Sequence, residues 1–381
     1  MNKNDILTSR NATTAGVALG LVCAIFIVSL LFTGEATRFD EAALGDRTES
    51  YFAQIEGVRI HCTDPADSDK CIAGAQQQPH ARRLLWLGNS QIHAINQRRQ
   101  GEPTAPEALH RKLRPSGDYL VAFSEPNASL QEHLAMFAYL TPRLKPRALI
   151  LPIVFDDFRE TGIRTELLPA LKDPAARASL GALDIGKTIL AEADASPADG
   201  GDLAGIAETL QERSERSITD WLNANWEVWA SRAEARGQTF LFLYQLRNTI
   251  LGIKPTSARR MIPPRFEKNW AALEAITSLA HDSGIHVHLY VAPLRNDVII
   301  PYVEEEYLAF KQRLLLEFGS RPGITVLNLE RVVANELWGT KAATNLKREP
   351  EYDFMHFQGP GHEALAEALY QAVSTTAKPK R

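Results

Sequence analysis

Five short, almost entirely apolar segments constrain the fold of this chain more than any other feature. They are residues 83–88, 119–123, 148–155, 285–291 and 324–329. Helical patterns separate or follow most of them, as in residues 128–140, 266–282 and 304–318. Strands that are apolar on both sides need cover on both faces, which is typical of parallel sheets. The sequence therefore predicts an α/β fold in which helices cover a central parallel sheet.

This α/β domain is predicted to span residues 81–376, followed by a short tail at 377–381. The regular alternation stops between about residues 162 and 264, which we interpret as a helical insertion. Within it, residues 206–237 predict a polar helix with three tryptophans broadly on one face, Trp221, Trp226 and Trp229. Two interpretations are open. Either the tryptophans pack the insertion onto the sheet, or they form a lid or a surface near a membrane.

A stretch without charged residues runs from 12 to 34 and is rich in Leu, Ile, Val and Phe. A helix of this length crosses the roughly 30 Å core of a bilayer. The apolar part of a cleaved signal peptide is usually only about 7–15 residues long, so an uncut, single-pass anchor is favoured over cleavage. Lys3 and Arg10 precede the stretch, and the positive-inside bias places residues 1–11 in the cytoplasm. We expect the rest of the chain on the periplasmic, extracytoplasmic side.

Two cysteines in the linker between anchor and domain, residues 35–80, agree with this orientation. Cys62 and Cys71 lie in a polar segment rich in Asp that also holds a proline, residues that favour turns. An exported compartment would allow the two thiols to form a disulfide. The alternative is a metal site that includes His61, but three candidate ligands without a second C-x-x-C pair make a poor zinc site.

The residues that follow the strands are where chemistry is expected, because the carboxyl ends of parallel strands share one edge. The first strand leads into Gly88-Asn-Ser90, and a helix beginning at this serine would direct N–H groups at developing negative charge. Near the end of the chain, Asp353 and His356 are close enough to meet in one tight loop. The carboxylate would orient the imidazole, and the imidazole would accept the serine proton. The G-x-S-x-G motif of α/β-hydrolases is absent, because Ile92 occupies its second glycine position.

These two motifs, Gly88-Asn-Ser90 after the first strand and Asp353-Phe-Met-His356 before the last helix, resemble the first and last blocks of SGNH (GDSL-like) hydrolases. The resemblance covers roughly residues 83–372. It implies a flavodoxin-like three-layer sandwich, with Ser90 as the nucleophile, His356 as the general base and Asp353 as its orienting partner. It implies neither a metal nor a cofactor.

The middle blocks of that family, which supply oxyanion donors, match less well. Asn127 follows the second strand, where it either donates its amide to an oxyanion or caps the next helix. Asp156 and Asp157 stand after the third strand, where the family has an asparagine, and an ionised carboxylate cannot donate a hydrogen bond. The two aspartates would instead pair with Arg159 and Arg164, or contact a cationic or hydroxylated substrate.

Three further residues complete the predicted oxyanion and substrate-binding set. Gly88 and Asn89 are the two residues that precede the nucleophile. Arg295 follows the fourth strand and borders the same edge of the sheet. There it would bind an anionic group or pair with the carboxylates of Asp156 and Asp157.

With its N-terminal anchor, the chain resembles DltD-like and alginate-acetylation-like envelope proteins, which work beside membrane-bound O-acyltransferases. This implies an exported acyl esterase or acyltransferase that acts on an acylated envelope polymer, lipid or carrier through an acyl-serine, with a membrane-bound O-acyltransferase as its partner. Two other hypotheses stay open: a noncatalytic scaffold for such a partner, and a carbohydrate-binding α/β module. A net charge of −4, from 42 basic and 46 acidic residues, argues against a nucleic-acid binder.

Overall fold

The computed structural model describes residues 47–195, 233–252, 254, 256–341, 343–346 and 350–376. The chain divides into two compact units, Met1–Ala43 with Glu208–Leu251 and Leu44–Ala207 with Gly252–Arg381. Nearly all described residues of the first unit belong to one helix, Ala233–Ile250. The predicted anchor at 12–34 and the three tryptophans lie outside the described residues. None of the helices that are described combines the length and apolar character needed to cross a bilayer.

The elements of the described residues are as follows. The strands are β1 (Thr48–Ser50), β2 (Gln54–Ile55), β3 (Val58–Arg59), β4 (His61–Cys62), β5 (Arg82–Gly88), β6 (Ala94–Asn96), β7 (Asp118–Ser124), β8 (Ala148–Ile153), β9 (His286–Val291), β10 (Ile324–Asn328), β11 (Trp338–Lys341) and β12 (Glu351–Phe357). The α-helices are α1 (Ser68–Gln76), α2 (Ser90–His93), α3 (Ala105–Leu113), α4 (Leu130–Leu144), α5 (Leu168–Lys172), α6 (Pro174–Gly181), α7 (Asp184–Ala195), α8 (Ala233–Ile250), α9 (Pro263–Asp282), α10 (Glu304–Phe318) and α11 (Gly359–Thr376). The described parts of the predicted insertion are thus mainly helical.

Six strands form a parallel sheet in the order β10-β9-β8-β5-β7-β4. The five predicted apolar strands are confirmed as β5, β7, β8, β9 and β10, with their ends shifted by at most two residues. Without β4 at the edge, the order is that of flavodoxin-like proteins. In the sheet, β7 lies on one side of β5 and β8 lies on the other, so the connections after β5 and after β7 run in opposite directions across the sheet. A crevice therefore opens beyond the carboxyl ends of β5 and β8, where such sheets bind ligands.

Both faces of the sheet are covered, which confirms the predicted three-layer arrangement. Along β5, Leu85 and Leu87 pack into the core under α1, α4, α9 and α10, whereas Leu84 and Trp86 face the core under α3 and α11. All four side chains are almost completely buried. Burying an apolar side chain of this size contributes about 1.5–3 kcal/mol, so the central strand is held firmly from both sides.

The edge strand β4 was not predicted from the sequence. It is only two residues long and pairs with β7 through His61 and Cys62. A disulfide joins Cys62 to Cys71 of α1, and both residues are fully buried. The bond fastens this edge of the sheet to the helix that covers it and leaves neither sulfur free for a metal.

Candidate active site

Ser90 begins α2 directly after the central strand β5. Gly88 lies tightly against the first turn of this helix, since a Cβ at this position would lie 2.6 Å from Cδ1 of Ile92. Asn89 has an extended backbone and caps the helix, its side-chain oxygen accepting the N–H of Gln91 at 3.1 Å. As the first helical residue, Ser90 has an N–H with no acceptor inside the helix. Its side chain remains partly exposed to solvent.

The structure brings together the three residues predicted as nucleophile, base and orienting acid. Nε2 of His356 lies 3.0 Å from the hydroxyl oxygen of Ser90, and Nδ1 of His356 lies 3.0 Å from Oδ2 of Asp353. Asp353 and His356 are 2% and 9% exposed, so both side chains are largely shielded from solvent. Nucleophile, base and orienting group are within hydrogen-bond reach of one another.

The prediction that Asp353 and His356 lie in a loop is wrong, because they belong to strand β12. This strand pairs with β11 in an irregular antiparallel hairpin whose register shifts between Trp338 and Thr340. Oδ1 of Asp353 accepts the backbone N–H groups of Met355 and His356, at 3.0 and 2.9 Å. The aspartate therefore fixes the backbone that carries the histidine as well as its ring.

Asp353 is set up to stay ionised. Burial raises the pKa of its carboxyl. The charge of His356 and the hydrogen bond from its ring oppose burial, as do the charge of Lys341 and the N–H of Met355. Together they outweigh burial, so the pKa of Asp353 lies well below its usual range. An ionised carboxylate only accepts hydrogen bonds. Nδ1 of His356 is therefore the donor to Asp353, which leaves Nε2 to accept the proton of Ser90.

A further contact to Asp353 was missed in the sequence. The side-chain amide of Asn96, on β6, donates to Oδ2 of Asp353 at 3.3 Å and to the carbonyl of Thr340 at 3.0 Å. Asn96 is fully buried. It lies in no recognisable motif, and its role arises from a contact between residues 257 positions apart.

Asn89, predicted as an oxyanion or substrate contact, has its amide engaged elsewhere. The amide donates to both carboxylate oxygens of Asp157, at 3.1 and 2.9 Å. Burial raises the pKa of Asp157 well above its usual range, and the charge of Asp156 adds to this, whereas the bond from Asn89 opposes it. The pair joins the nucleophile turn to the segment after β8.

Asp156 takes part in an ion-pair network instead of contacting Asp157 or the triad. Its carboxylate pairs with Arg159 at 3.1 Å and with Arg259, and it accepts the hydroxyl of Tyr302 at 3.0 Å. The expected pairing with Arg159 is confirmed. Arg164, in contrast, pairs with Glu132 at 2.8 Å and with Glu125 at 3.3 Å.

Asn127 is exposed, lies in a turn before α4 and has a left-handed backbone, with φ of 51°. The alternative that it caps the helix is wrong. Ser129 is the cap, and its side chain and that of Glu132 form a reciprocal capping box. The side chain of Asn127 is therefore not committed to this helix end.

Arg295 borders the site as predicted, but it pairs with its own loop. Its guanidinium binds Asp297 through two contacts of 2.7 and 3.0 Å and donates to the carbonyl of Gly339 at 2.9 Å. It also lies over the ring of Tyr352, 4.4 Å from the ring centre. The alternative pairing with Asp156 and Asp157 is wrong. Arg295 is 7% exposed and holds the β11–β12 hairpin against the loop after β9.

His93, at the end of α2, is buried and serves packing. Its Nδ1 lies 2.7 Å from the hydroxyl of Ser124, which also contacts Nε2 of His61 at 2.7 Å. Burial lowers the pKa of His93 to about 3 and that of His61 well below its usual range. Both rings are neutral and tie α2 to the edge of the sheet.

Fold and site together define an α/β protein of flavodoxin-like strand order with a Ser–His–Asp triad at the carboxyl edge of the sheet. No family model matches the chain, and no curated protein matches it. Solved structures with similar folds include a candidate acylhydrolase from Bacteroides fragilis, with 12% identity, a TM-score of 0.37 and coverage of 83% of this chain and 100% of that one.

Two other solved structures are similar. One is a GDSL-like lipase from Bacteroides thetaiotaomicron, with 10% identity, a TM-score of 0.32 and coverage of 79% of this chain and 90% of that one. The other is a carbohydrate esterase of family 2 with a carbohydrate-binding domain from Corynascus thermopiles (Myceliophthora fergusii), with 9% identity, a TM-score of 0.31 and coverage of 77% and 66%. The Ser–His–Asp geometry, and not these similarities, defines the chemistry available at the site.

Proposed function

We propose that this chain is a serine acyl esterase or acyltransferase of the SGNH type that works through an acyl-serine at Ser90. The observation that carries the proposal is the continuous hydrogen-bonded chain from Ser90 through His356 to Asp353. The same constellation performs acyl transfer on unrelated folds. Here it stands beyond the carboxyl end of the central strand, with Ser90 open to solvent on one side.

The reaction follows from this geometry. The oxygen of Ser90 attacks the carbonyl carbon of an ester or thioester while Nε2 of His356 takes its proton. The bond to the leaving group then breaks, and Nε2 gives that proton to the departing oxygen or sulfur. Water or a sugar hydroxyl attacks the acyl-serine, loses its proton to Nε2, and the proton returns to Ser90 as the serine leaves. Asp353 stabilises the positive charge on His356, and the free N–H of Ser90 is available to the oxyanion.

The proposed setting is the outer face of the cytoplasmic membrane, with residues 12–34 as anchor. The substrate is an acylated envelope polymer, lipid or carrier, and a membrane-bound O-acyltransferase is the proposed partner. The Cys62–Cys71 disulfide supports an oxidising compartment, since such bonds are rare in the cytosol. The full-length chain should sediment with membranes, whereas a chain that lacks residues 1–34 should not. Equal sedimentation of both would contradict the anchor.

The activity is tested with the full chain in detergent, 4-nitrophenyl acetate as donor and an acetylated sugar oligomer as second substrate. Ser90→Ala should abolish turnover. The matched control is Ser179→Ala, because Ser179 is a partly exposed serine on α6 that bonds only the carbonyl of Ala175, at 3.0 Å. Transfer is distinguished from hydrolysis by adding an unacylated oligomer and measuring its acylation. Wild-type turnover in Ser90→Ala would contradict the proposal.

One observation favours the scaffold as the second candidate. Two of the predicted donors or contacts near the oxyanion position are engaged elsewhere, Asn89 with Asp157 and Asp156 with Arg159. A scaffold would leave polymer acylation in cells intact when Ser90 is replaced by alanine. An acyltransferase predicts that acylation is lost.

A further inference from the structure

The four-residue helix α2 is held by buried polar side chains that reach different parts of the sheet edge. Asn89, its cap, contacts Asp157 after β8, and His93 contacts Ser124 at the end of β7. Gln91, the residue immediately after the nucleophile, is fully buried. The side-chain amide of Gln91 hydrogen-bonds to neither Asp157 nor Ser124.

Gln91 joins the helix of the nucleophile to the strand of the base. Its Nε2 donates one hydrogen bond to the carbonyl of Pro293 at 2.8 Å and another to the carbonyl of Met355 at 3.0 Å. Pro293 follows β9, and Met355 is the residue before His356 on β12. Both N–H groups of one planar amide are therefore used, across 202 and 264 positions of the sequence.

The other contacts of the base do not fix its distance from the nucleophile. Asp353 holds His356 from within β12, and Asn96 holds Asp353 from β6. Apart from the Ser90–His356 contact itself, the bond from Gln91 to Met355 is the hydrogen bond that joins α2 to β12 in the part of the chain described. Removing the Gln91 amide would also leave the buried carbonyl of Pro293 without this donor, which is costly in the protein interior.

On the basis of the proposed function, we propose that Gln91 is a positioning residue that sets the separation of Ser90 and His356. It touches neither substrate nor reacting atoms. Its effect on rate arises because catalysis depends steeply on alignment, and a displacement of about 1 Å can cost roughly 100-fold in rate.

The test compares Gln91→Met with Gln131→Met in the full chain. Methionine has nearly the shape of glutamine but donates no hydrogen bond. Gln131 is equally buried, on α4, and its Nε2 contacts only Oδ1 of Asn269, at 3.4 Å. A fluorophosphonate is used as probe, and its dissociation constant and its rate constant for covalent reaction are measured separately, together with the urea midpoint.

Gln91→Met should lower the covalent rate constant by roughly 10- to 100-fold with the dissociation constant of the probe unchanged. Gln131→Met should keep the wild-type rate constant whatever the change in its urea midpoint, because its one contact of 3.4 Å lies away from the triad. The side chain in Gln91→Asn keeps an amide but is one methylene shorter, so the amide reaches at most one of the two carbonyls. Gln91→Asn should therefore show a smaller loss of rate than Gln91→Met. If Gln91→Met does not fold, Gln91→Asn takes its place in the test.

A wild-type rate constant in folded Gln91→Met or Gln91→Asn would overturn the role of Gln91 and leave the proposed function standing. An equal loss in Gln131→Met would also overturn it, because the effect would then follow general stability. Absence of labelling in the wild type would overturn the proposed function, and the inference with it.

Discussion

The imidazole Nε2 of His356 lies 3.0 Å from the hydroxyl oxygen of Ser90, although 266 positions of sequence separate the two residues. The contact forms because β5 lies inside the sheet and delivers Ser90 to its carboxyl edge, while β12 returns near the end of the chain to the same edge.

Asp353→Asn should lower the rate of acylation by roughly 10³- to 10⁴-fold. An asparagine amide would donate to Nδ1 of His356 and so favour the ring form in which Nε2 carries a proton and cannot accept one from Ser90. The burst of nitrophenolate from 4-nitrophenyl acetate measures this rate. Asp297→Asn is the matched control, since Asp297 pairs with Arg295 and contacts no triad residue. A burst in Asp353→Asn as fast as that in Asp297→Asn would contradict the assigned role.

Gly339→Ala should reduce acylation without touching the triad directly. A Cβ at position 339 would overlap the side-chain amide of Asn96, so Asn96 must move away from Asp353. We expect a loss of about tenfold or more, since small displacements of oriented groups are costly. Gly181→Ala is the control, because a Cβ at Gly181 meets nothing within 4 Å. Equal activity of the two variants would show that Asn96 does not support Asp353.

Asp157→Asn should change how stability depends on pH. Burial raises the pKa of Asp157 above its unfolded value, so the folded state favours the protonated acid. The stabilisation is complete below about pH 4 and is lost as the pH rises toward the folded-state pKa. Asparagine does not titrate and can still accept the bond from Asn89. The urea midpoint of Asp157→Asn should therefore rise relative to wild type between pH 5 and pH 8.

Asp173→Asn provides the control for this pH dependence. The hydrogen bond from Arg143 lowers the pKa of Asp173, so its stabilisation is complete above about pH 4 and is lost only at lower pH. The difference between Asp173→Asn and wild type should thus stay constant from pH 5 to pH 8. A constant difference for Asp157→Asn as well would show that Asp157 is ionised throughout.

Cys62→Ala, Cys71→Ala and the double variant should lower the free energy of unfolding by similar amounts, about 2–4 kcal/mol. Each single change already removes the cross-link between β4 and α1, so the second change adds little. Urea denaturation under nonreducing conditions gives the three values. Additive effects of the single variants would contradict a disulfide, because two independent buried thiols would each contribute on their own.

The strands that form the sheet could be predicted because their signal is local. Segments such as residues 148–155 are apolar throughout, and a run of this kind has few alternatives to a buried strand. The triad could be predicted because Gly88-Asn-Ser90 and Asp353-Phe-Met-His356 are short local motifs that resemble the first and last blocks of SGNH hydrolases. Parallel-sheet topology placed Ser90 at the carboxyl edge, but it did not predict the antiparallel β11–β12 hairpin that carries Asp353 and His356.

Most of what was missed depends on contacts between distant residues; the cap of α4 is the exception, because its signal is local. The pair His61–Cys62 is too short to show a period, and it becomes a strand only because β7 lies beside it. Asn127 was considered as the cap of α4, but Ser129 is the cap, because its side chain and that of Glu132 form a reciprocal capping box. Gln91 follows the nucleophile without any motif, and its partners, Pro293 and Met355, cannot be deduced from spacing.

Locating the covalent adduct shows directly whether the triad activates Ser90. The full-length wild type and His356→Ala are each treated with a fluorophosphonate and digested. The modified peptide is then sequenced by mass spectrometry. We expect one adduct on Ser90 in the wild type and strongly slowed labelling when His356 is absent. Labelling at another serine, or labelling of Ser90 at the same rate without His356, would contradict the claim that this triad activates Ser90.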